Sequence, residues 1–388
     1  MALDKETFDQ LRDTLARFVR ERLIPLEFKL AEDNAIPEEI KAAMREMGVF
    51  GLSIPVEYGG LGLTMEEEAQ IAIELGRTSP AFRSLAATNI GIGSQGLVID
   101  GTEEQRRKYL PRLATGELIG SFALTEPEAG SDAASLRTSA KRVGDHYLLN
   151  GTKRFITNAP HAGLLTVFAR TEDPGNPKGA ITAFLVERGS PGLSFGPVDK
   201  KMGQSGSLTC DVILDNCRVP ASAVLGEKEG QGFRTAMKVL DRGRIHIGAV
   251  CVGAAERLIA DSLAYAMQRK QFGQPIAEFQ LVQAMLADSR AEAFAARCMV
   301  LETARSKDRG EPVITEAACC KMYASEMVGR VADRAVQIHG GAGYMAAYGI
   351  ERFYRDVRLF RIYEGTTQIQ QLIIARNMVR EAQQKGAV

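Results

Sequence analysis

Glu364 is a carboxylate whose sequence setting could aim it at a substrate carbon. Residues 352–376 read R-F-Y-R-D-V-R-L-F-R-I-Y-E-G-T-T-Q-I-Q-Q-L-I-I-A-R. Two helices are predicted here, the first with arginines sharing one face at three-residue spacing (Arg352, Arg355 and Arg358). Thr367 and Gln370 fit a capping box at the start of the second helix. Glu364 would then lie on an elbow before a glycine, although a surface glutamate at a helix end is the alternative.

Two segments could bind a planar ring and an anionic group. Residues 123–132, A-L-T-E-P-E-A-G-S-D, offer hydroxyls, backbone N–H groups and a glycine. In residues 151–159, G-T-K-R-F-I-T-N-A, Phe155 and Thr157 alternate with Ile156, so the ring and hydroxyl are predicted to point the same way. A strand cap and ordinary strand packing are the respective alternatives.

Two further segments could bind phosphate. Arg269 and Gln280 flank a helix break in residues 268–280, and arginine suits pyrophosphate, although a solvated arginine at a helix end competes. Residues 337–344, Q-I-H-G-G-A-G-Y, follow a helix rather than a strand, which argues against a Rossmann fingerprint. Their glycines would still let backbone N–H groups approach a phosphate.

Composition excludes several classes of protein. Lys and Arg total 48, as do Asp and Glu, so no net field favours nucleic acid or an anionic membrane. No apolar run approaches the ~20 residues that cross a bilayer, and no signal peptide is expected, so a cytoplasmic location is predicted. The six cysteines and four histidines show no metal-binding spacing, and buried free thiols are expected.

The hydrophobic period divides the chain into three predicted domains of an α+β fold: an N-terminal α-helical domain (1–118), a middle, mostly antiparallel β domain (119–228) and a C-terminal bundle of long helices (229–388). The period is helical to about residue 118, with capping boxes expected at Thr64 and Thr102. In the middle domain the hydrophobic period is two residues, and a small barrel or sandwich is expected there. Long helices are predicted at about 231–269, 277–307 and 312–338.

Along essentially its whole length the chain resembles the acyl-CoA dehydrogenase family of flavoproteins. The resemblance rests on six motifs in order: L-T-E-P-E-A-G-S-D, F-I-T-N-A, L-D-R-G-R, R-K-Q-F-G-Q-P-I, Q-I-H-G-G-A-G-Y and I-Y-E-G-T-T-Q-I-Q. It implies N-terminal helices, a middle β domain and a C-terminal four-helix bundle. It also implies FAD, an acyl-CoA substrate, a homotetramer in which FAD reaches a neighbouring subunit, and electron-transferring flavoprotein as acceptor.

The resemblance implies contacts residue by residue. Those with FAD are Phe122, Leu124, Thr125, Gly130, Ser131, Phe155, Ile156, Thr157, Arg269, Gln271, Phe272, Gln280, Gln337, Gly340, Gly341, Thr366 and Gln368. Those with the acyl-CoA are Arg83, Ser131, Asp241, Arg244 and Gly365. Many members have Trp at the position of Phe155. Glu364 matches the catalytic base, and Gly243 occupies the position where a subset of the family carries that glutamate instead.

Arg83 stands where the family receives the far end of the acyl chain. Its segment, F-R-S, is similar to the Y-R-S of glutaryl-CoA dehydrogenases, in which the arginine pairs with the substrate's distal carboxylate. Gly76 replaces an acidic residue that those enzymes carry before the arginine. A dicarboxylyl-CoA substrate is therefore one hypothesis; the other is an ordinary short- or medium-chain enzyme whose Arg83 faces solvent or pairs with Glu74. A desulfinase-like or non-catalytic flavoprotein is the alternative of another class.

Overall fold

The computed structural model describes residues 3–173, 175–176, 179–384 and 386. Seven α-helices precede the sheet: α1 (Lys5–Phe18), α2 (Glu27–Asp33), α3 (Glu38–Glu46), α4 (Met65–Gly76), α5 (Pro80–Thr88), α6 (Gln95–Asp100) and α7 (Glu103–Ala114). The capping boxes predicted at Thr64 and Thr102 are confirmed, since each hydroxyl accepts a backbone N–H three residues on and the side chain there accepts in return.

The middle region folds into one seven-stranded sheet. Its strands are β1 (Gly120–Ala123), β2 (Ser139–Val143), β3 (His146–Thr157), β4 (Leu164–Thr171), β5 (Ala180–Glu187), β6 (Leu193–Phe195) and β7 (Thr209–Pro220). The order is β1-β4-β2-β3-β7-β6, with β5 also pairing with β4. Most pairs are antiparallel as predicted, but β1 and β2 each pair with β4 in parallel, which the alternation of side chains could not reveal.

The C-terminal helices form the predicted bundle. It consists of α8 (Gly232–Gln268), α9 (Gln280–Asp308), α10 (Ile314–His339) and α13 (Thr367–Gln384), and the short strands β8 (Lys270–Gln271) and β9 (Gln274–Pro275) join α8 to α9. Two short helices, α11 (Gly341–Tyr344) and α12 (Ile350–Val357), lead to a 3₁₀ turn at Arg358–Arg361. None of the helices in these described ranges is both long and apolar enough for a membrane span.

Two local predictions about the C-terminal stretch are wrong. The hydroxyl that caps α13 belongs to Thr366, which accepts from Ile369 N–H at 3.2 Å, while Thr367 donates to Glu326 at 2.7 Å. The three arginines do not share one face: Arg352 is buried and donates to Glu27 at 2.6 Å, Arg355 pairs with Glu351, and Arg358 lies beyond α12. The spacing of the arginines could not show that Arg352 is buried in an ion pair with Glu27.

Helix α4 belongs to the core of the C-terminal bundle as well as to the N-terminal helices. Its buried Met65, Ala69 and Ile73 pack in one cluster with apolar side chains of α8, α9 and α10. Gly76 and Gly253 allow α4 and α8 to cross closely, because a Cβ on Gly253 would overlap the carbonyl of Ile73. The first and last thirds of the chain therefore share one core.

The six cysteines are free, but they are not all buried. Cys298 is exposed and Cys319 is partly exposed, which contradicts the expectation of buried thiols. The described residues contain no group of three His, Cys, Asp or Glu side chains suited to a metal ion.

Candidate active site

Glu364 lies on the predicted elbow, between the 3₁₀ turn and α13. Its φ of +52° is unusual for a residue with a side chain, and Gly365 follows at +92°. Gln370 Nε2 donates to the carbonyl oxygens of Glu364 and Gly365, both at 3.1 Å, and Lys321 Nζ donates to Gly365 O at 2.6 Å. These bonds hold the strained backbone, and so the carboxyl group, in one orientation.

One oxygen of the Glu364 carboxyl group is buried, although the residue as a whole is only partly buried. Its Oε2 is buried without a hydrogen-bond partner in the described part of the chain. Burial raises the pKa of Glu364, and nearby Arg83, His246, Lys321 and Arg244 lower it only in part. Gly243 on α8 makes room for the group, because a Cβ there would overlap Oε2.

Glu364 faces a cavity of about 670 Å³ between β1, β3, α5 and α8. The structure brings most of the sequence-predicted site residues to this cavity: Arg83, Phe122, Leu124, Thr125, Gly130, Ser131, Phe155, Ile156, Thr157, Arg244, Glu364 and Gly365. Asp241 lies behind Arg244 and forms an ion pair with it. Part of the lining, the aromatic wall, therefore carries aromatic and hydroxyl side chains, and the carboxyl group of Glu364 lines the same cavity.

A bulge in β3 shapes the aromatic wall. The register against β7 shifts between Lys153 and Ile156, and Phe155 adopts a φ of +58°. Phe155, Ile156 and Thr157 all line the cavity, so the simple alternation predicted for these residues is wrong although the ring and the hydroxyl still share the cavity. The positive φ at Phe155 has no signal in the sequence.

The remaining predicted residues lie elsewhere, at the surface of the bundle. Arg269, Gln271, Phe272 and Gln280 are exposed around the α8–α9 junction, and Gln337, Gly340 and Gly341 are exposed at the end of α10. The two ends are adjacent, since Tyr265 of α8 stacks on His339 of α10 with ring centroids 4.3 Å apart. Thr366 caps α13 and Gln368 is exposed. Within one chain, the predicted site therefore divides into two groups.

Arg83 is directed into the molecule. It is 5% exposed, lines the cavity and donates to the hydroxyl of Tyr363 at 3.2 Å. Glu74 pairs with Arg77 instead, at 3.1 Å, so the alternative in which Arg83 faces solvent or pairs with Glu74 is wrong. Tyr363 stays neutral, because burial raises its pKa to about 12 although Arg83 lowers it.

The sequence reasoning missed three polar residues beside the cavity. Glu68 of α4 accepts from Arg242 and from His246 Nδ1, the latter at 2.9 Å. Burial alone would raise the pKa of Glu68, but Arg242 and His246 outweigh it and hold the pKa at about 2. The i, i+4 spacing of Arg242 and His246 on α8 was a signal that they share a face.

Comparison with known proteins agrees with this architecture. Family models of acyl-CoA dehydrogenase match the chain at residues 5–117 (N-terminal domain), 121–217 (middle domain) and 230–379 (C-terminal domain). The chain therefore belongs to the acyl-CoA dehydrogenase family, whose members are oxidoreductases acting on CH–CH groups.

Individual relatives differ in what they act on. An acryloyl-CoA reductase (NADH) of Anaerotignum propionicum is 42% identical over 374 residues, which are 96% of this chain and 94% of the relative. Butyryl-CoA dehydrogenase of Megasphaera elsdenii is 34% identical in sequence with a TM-score of 0.92, covering 98% of this chain and 99% of that one. A glutaryl-CoA dehydrogenase in complex with glutaryl-CoA is also 34% identical, with a TM-score of 0.91, covering 98% and 96%.

Two further solved structures bear on the cofactor and the electron partner. An acyl-CoA dehydrogenase of Bacillus anthracis complexed with FAD is 36% identical with a TM-score of 0.91, covering 99% of this chain and 68% of that one. A chain described under the electron transferring flavoprotein of Acidaminococcus fermentans is 38% identical with a TM-score of 0.93, covering 98% and 100%.

Proposed function

We propose that this chain carries out the FAD-dependent α,β-dehydrogenation of an acyl-CoA thioester to the trans-2-enoyl-CoA. The observation that carries the proposal is Glu364, a carboxyl group that is fixed by a strained backbone and lines the same cavity as the aromatic and hydroxyl side chains of β3. Glu364 abstracts the α-proton. A substrate between the carboxyl group and the wall has its α-carbon toward Glu364 and its other face toward the cofactor.

The environment of Glu364 suits a base that works near neutral pH. A carboxylate in water is too weak to remove a thioester α-proton, whereas a buried carboxylate has a raised pKa. The acyl chain completes the exclusion of water on binding and raises the pKa further. The surrounding cations keep the ionised form accessible before substrate arrives.

The residues of the cavity fit a flavin ring. Phe155, Ile156 and Thr157 present an aromatic and a hydroxyl group from β3, and the β1 end supplies Phe122, Leu124 and Thr125. FAD, when bound, supplies the hydride acceptor N5 for the substrate's β-hydrogen. The chain's own residues position the ring and exclude water from it.

The exposed group of predicted residues supports a homotetramer in which each FAD reaches a second subunit. Phe272 is 95% exposed and strained at φ +52°, and its ring makes an edge-to-face contact with Phe279 at 6.0 Å between centroids. A large aromatic side chain at an exposed strained position is typical of an interface. We assign Arg269, Gln271, Gln280, Gln337, Gly340 and Gly341 to the pyrophosphate and adenine of FAD in the neighbouring subunit.

We infer that the acyl chain carries a distal carboxylate, as in glutaryl-CoA or a somewhat longer dicarboxylyl-CoA. Arg242 pairs with Glu68 and Arg244 with Asp241, whereas the described residues provide Arg83 with no carboxylate at ion-pair distance. Glu364 is near enough for Arg83 to lower its pKa but does not pair with it, and a buried guanidinium without a paired carboxylate costs several kcal/mol. A substrate carboxylate would remove that cost, and an apolar chain would not.

The absence of an acidic residue at position 76 does not weaken this inference. A Cβ on Gly76 would lie 2.5 Å from the carbonyl of Val250 in α8. The packing of α4 against α8 therefore leaves no room for a side chain at position 76. Glu68, about two turns earlier on α4 and already paired, supplies negative charge to the pocket instead.

Reduction of an enoyl-CoA is a second candidate direction for the same site, favoured by the likeness to an acryloyl-CoA reductase. By microscopic reversibility, Glu364 would then return the proton to the α-carbon. For the oxidative direction, electron-transferring flavoprotein is the acceptor we propose, since a chain described under that name is similar in structure.

The test is anaerobic bleaching of the purified holoenzyme by a panel of acyl-CoAs. Glutaryl-CoA or a longer dicarboxylyl-CoA should reduce the flavin with a kcat/KM about 10²-fold above that of the matched monocarboxylic acyl-CoA. Faster reduction by butyryl- or hexanoyl-CoA would identify a short- or medium-chain enzyme. A bound flavin that no acyl-CoA reduces would favour the desulfinase-like or non-catalytic alternative.

The matched variant is Arg83→Met, which keeps length and removes charge. The ratio of kcat/KM between glutaryl-CoA and pentanoyl-CoA should fall or invert, because the apolar side chain accepts methylenes and cannot pair with a carboxylate. Steady-state rates with both substrates measure it. A ratio equal to that of the wild type would place Arg83 outside acyl recognition.

A further inference from the structure

Lys153 of β3 is completely buried beside the loop that follows β1. Its Nζ forms an ion pair with Glu126 Oε1 at 2.7 Å and also donates to the carbonyl oxygen of Leu124 at 3.2 Å. Burial lowers the pKa of Lys153 to about 8, although Glu126 raises it, so the pair is ionic at pH 7. A lysine is almost never fully buried unless it is paired. Lys153 therefore ties β3 to two residues of this loop.

The carboxylate of Glu126 holds the far end of the same loop. It accepts from the backbone N–H groups of Arg137 and Thr138, at 2.6 and 2.9 Å, and from the Thr138 hydroxyl. Burial would raise the pKa of Glu126, but Lys153, Thr138 and Arg137 outweigh it and lower the pKa. One carboxylate thus closes the loop of residues 126–138 and fastens it to β3.

The loop that this pair fastens lines the cavity of Glu364. Apart from a single bridge between Glu126 and Ala129 and a 3₁₀ turn at Ala133–Ser135, the backbone of residues 124–138 is irregular, so side-chain anchors fix its place. Neither Glu126 nor Lys153 lines the cavity itself, so each acts on the cavity through the loop. The loop residues that line it are Leu124, Thr125, Gly130, Ser131, Asp132, Ala133 and Ala134.

A second buried ion pair of similar build lies away from the cavity. Glu27 of α2 pairs with Arg352 of α12 at 2.6 Å, with side chains 3% and 7% exposed, and has Arg257 at 3.7 Å as a second cation. Like Glu126, Glu27 also accepts from a hydroxyl and a backbone N–H, those of Thr78 and Ser79. None of these residues is among those that line the cavity. This pair therefore shows the general effect of breaking a buried ion pair, without an effect on the cavity.

We propose that Lys153 and Glu126 are positioning residues for the flavin ring: their ion pair fixes the loop after β1 at one distance from β3, so that both segments contact the ring together. The inference rests on the proposed flavin site and adds two residues that shape it without lining it. Loss of either side chain lets the loop shift relative to β3. The surroundings of the ring then change, although no group that contacts it has been removed.

The experiment compares Lys153→Met and Glu126→Gln holoenzymes with the matched controls Arg352→Met and Glu27→Gln at pH 7. All four variants should melt below the wild type, since each removes one half of a buried ion pair. Lys153→Met and Glu126→Gln should in addition bind FAD about 10-fold more weakly, the effect of losing one charge-assisted hydrogen bond, and should shift the visible absorption bands of the bound flavin. The controls should keep the wild-type Kd and bands. Equilibrium dialysis measures the Kd for FAD, and absorbance records the bands.

The double variant Lys153→Met with Glu126→Gln separates positioning from stability. It buries no uncompensated charge, so it should melt above Glu126→Gln, yet its FAD binding and flavin bands should stay altered because the tie to β3 is lost. Recovery of FAD binding together with the melting temperature would mean that the pair serves stability alone, and would overturn the inference.

Wild-type FAD binding and flavin bands in Lys153→Met would also overturn it. This variant leaves Glu126 its donors from Arg137 and Thr138, so it is expected to fold even if Glu126→Gln does not. The proposed dehydrogenation fails separately, if the wild type binds FAD that no acyl-CoA reduces. In that case the comparison of the two ion pairs still decides whether Lys153 and Glu126 position the ring.

Discussion

At the scale of single residues, the sequence located the elbow of Glu364 but could not describe its strain. Tyr-Glu-Gly-Thr between two helical patterns predicts a bend, since glycine there permits an unusual backbone angle. The positive φ falls on Glu364 as well as on Gly365, and it depends on Gln370 and Lys321. Lys321 lies over 40 residues earlier in sequence, and no local pattern connects it with the elbow.

Glu364→Gln tests the proposed base. The amide preserves shape and hydrogen bonding but cannot accept the α-proton, so flavin reduction by a saturated acyl-CoA should fall by at least ~10²-fold. Stopped-flow absorbance measures this, and binding of the enoyl-CoA product should survive as the control. In the wild type the reduction rate should rise with pH through the raised pKa of Glu364, because only the ionised form is a base. Near-normal reduction by the variant would assign proton abstraction to another residue.

Gly243→Ala tests the position of the carboxyl group. The added methyl would overlap Glu364 Oε2 and displace it, and misplacement by about 1 Å can cost ~10²-fold in rate. Stability should not fall, since alanine favours a helix over glycine. Flavin reduction and thermal melting measure the two effects. Gly96→Ala is the control, because its methyl would make ordinary contacts of 3.5 Å or more in α6; an unimpaired Gly243→Ala would mean that the carboxyl lies elsewhere during the reaction.

At the scale of elements, hydrophobic periodicity and capping residues were sufficient to predict the helices and most strands. They could not predict which elements contact one another. The long helices predicted at 231–269 and 312–338 begin and end within two residues of α8 and α10. The parallel β1–β4 pair and the bulge at Phe155 depend on strands far apart in sequence. The group formed by Glu68, Arg242 and His246 escaped notice for the same reason, as its members lie on two helices over 170 residues apart.

The crossing of α4 and α8 gives a prediction about stability. Gly253→Ala should lower the free energy of unfolding by about 1–3 kcal/mol or more, because the methyl overlaps the backbone of α4 rather than a flexible side chain. Denaturant unfolding of the holoenzyme measures it, against Gly96→Ala, which should change stability by no more than about 1 kcal/mol. A Gly253→Ala variant as stable as the wild type would mean that the two helices can separate without cost.

At the scale of the whole molecule, the sequence motifs predicted one site and the structure places their residues in two regions. One group surrounds the cavity, and the other lies exposed at the end of the bundle near His339. The motifs alone do not show whether a residue contributes to the site of its own chain or to that of a neighbouring subunit. The two regions are reconciled by the homotetramer proposed above, in which each subunit completes the cofactor site of another.

Arg269→Ala tests that assignment. If the guanidinium contacts the pyrophosphate of FAD, its loss should weaken FAD retention by about 10- to 150-fold, equivalent to roughly 1.5–3 kcal/mol. Flavin fluorescence released during dialysis measures retention, with Arg380→Ala, an exposed arginine of α13, as the control. Sedimentation would show whether the variant keeps the oligomeric state of the wild type. Retention equal to that of the control would remove Arg269 from the FAD site.

The shared core of α4 with α8, α9 and α10 has a consequence for synthesis on the ribosome. The apolar cluster that contains Ile73 of α4 is complete only when residues 245 to 360 have been made. Glu27, which also accepts from Thr78 and from Ser79 N–H, pairs with Arg257 at 3.7 Å and with Arg352, 325 residues later in sequence than itself, at 2.6 Å. The first helices can pack on one another early, but α4 leaves the exit tunnel long before the core that it shares with the bundle exists. The nascent chain must keep the apolar face of α4 from aggregating until almost the last helix has emerged.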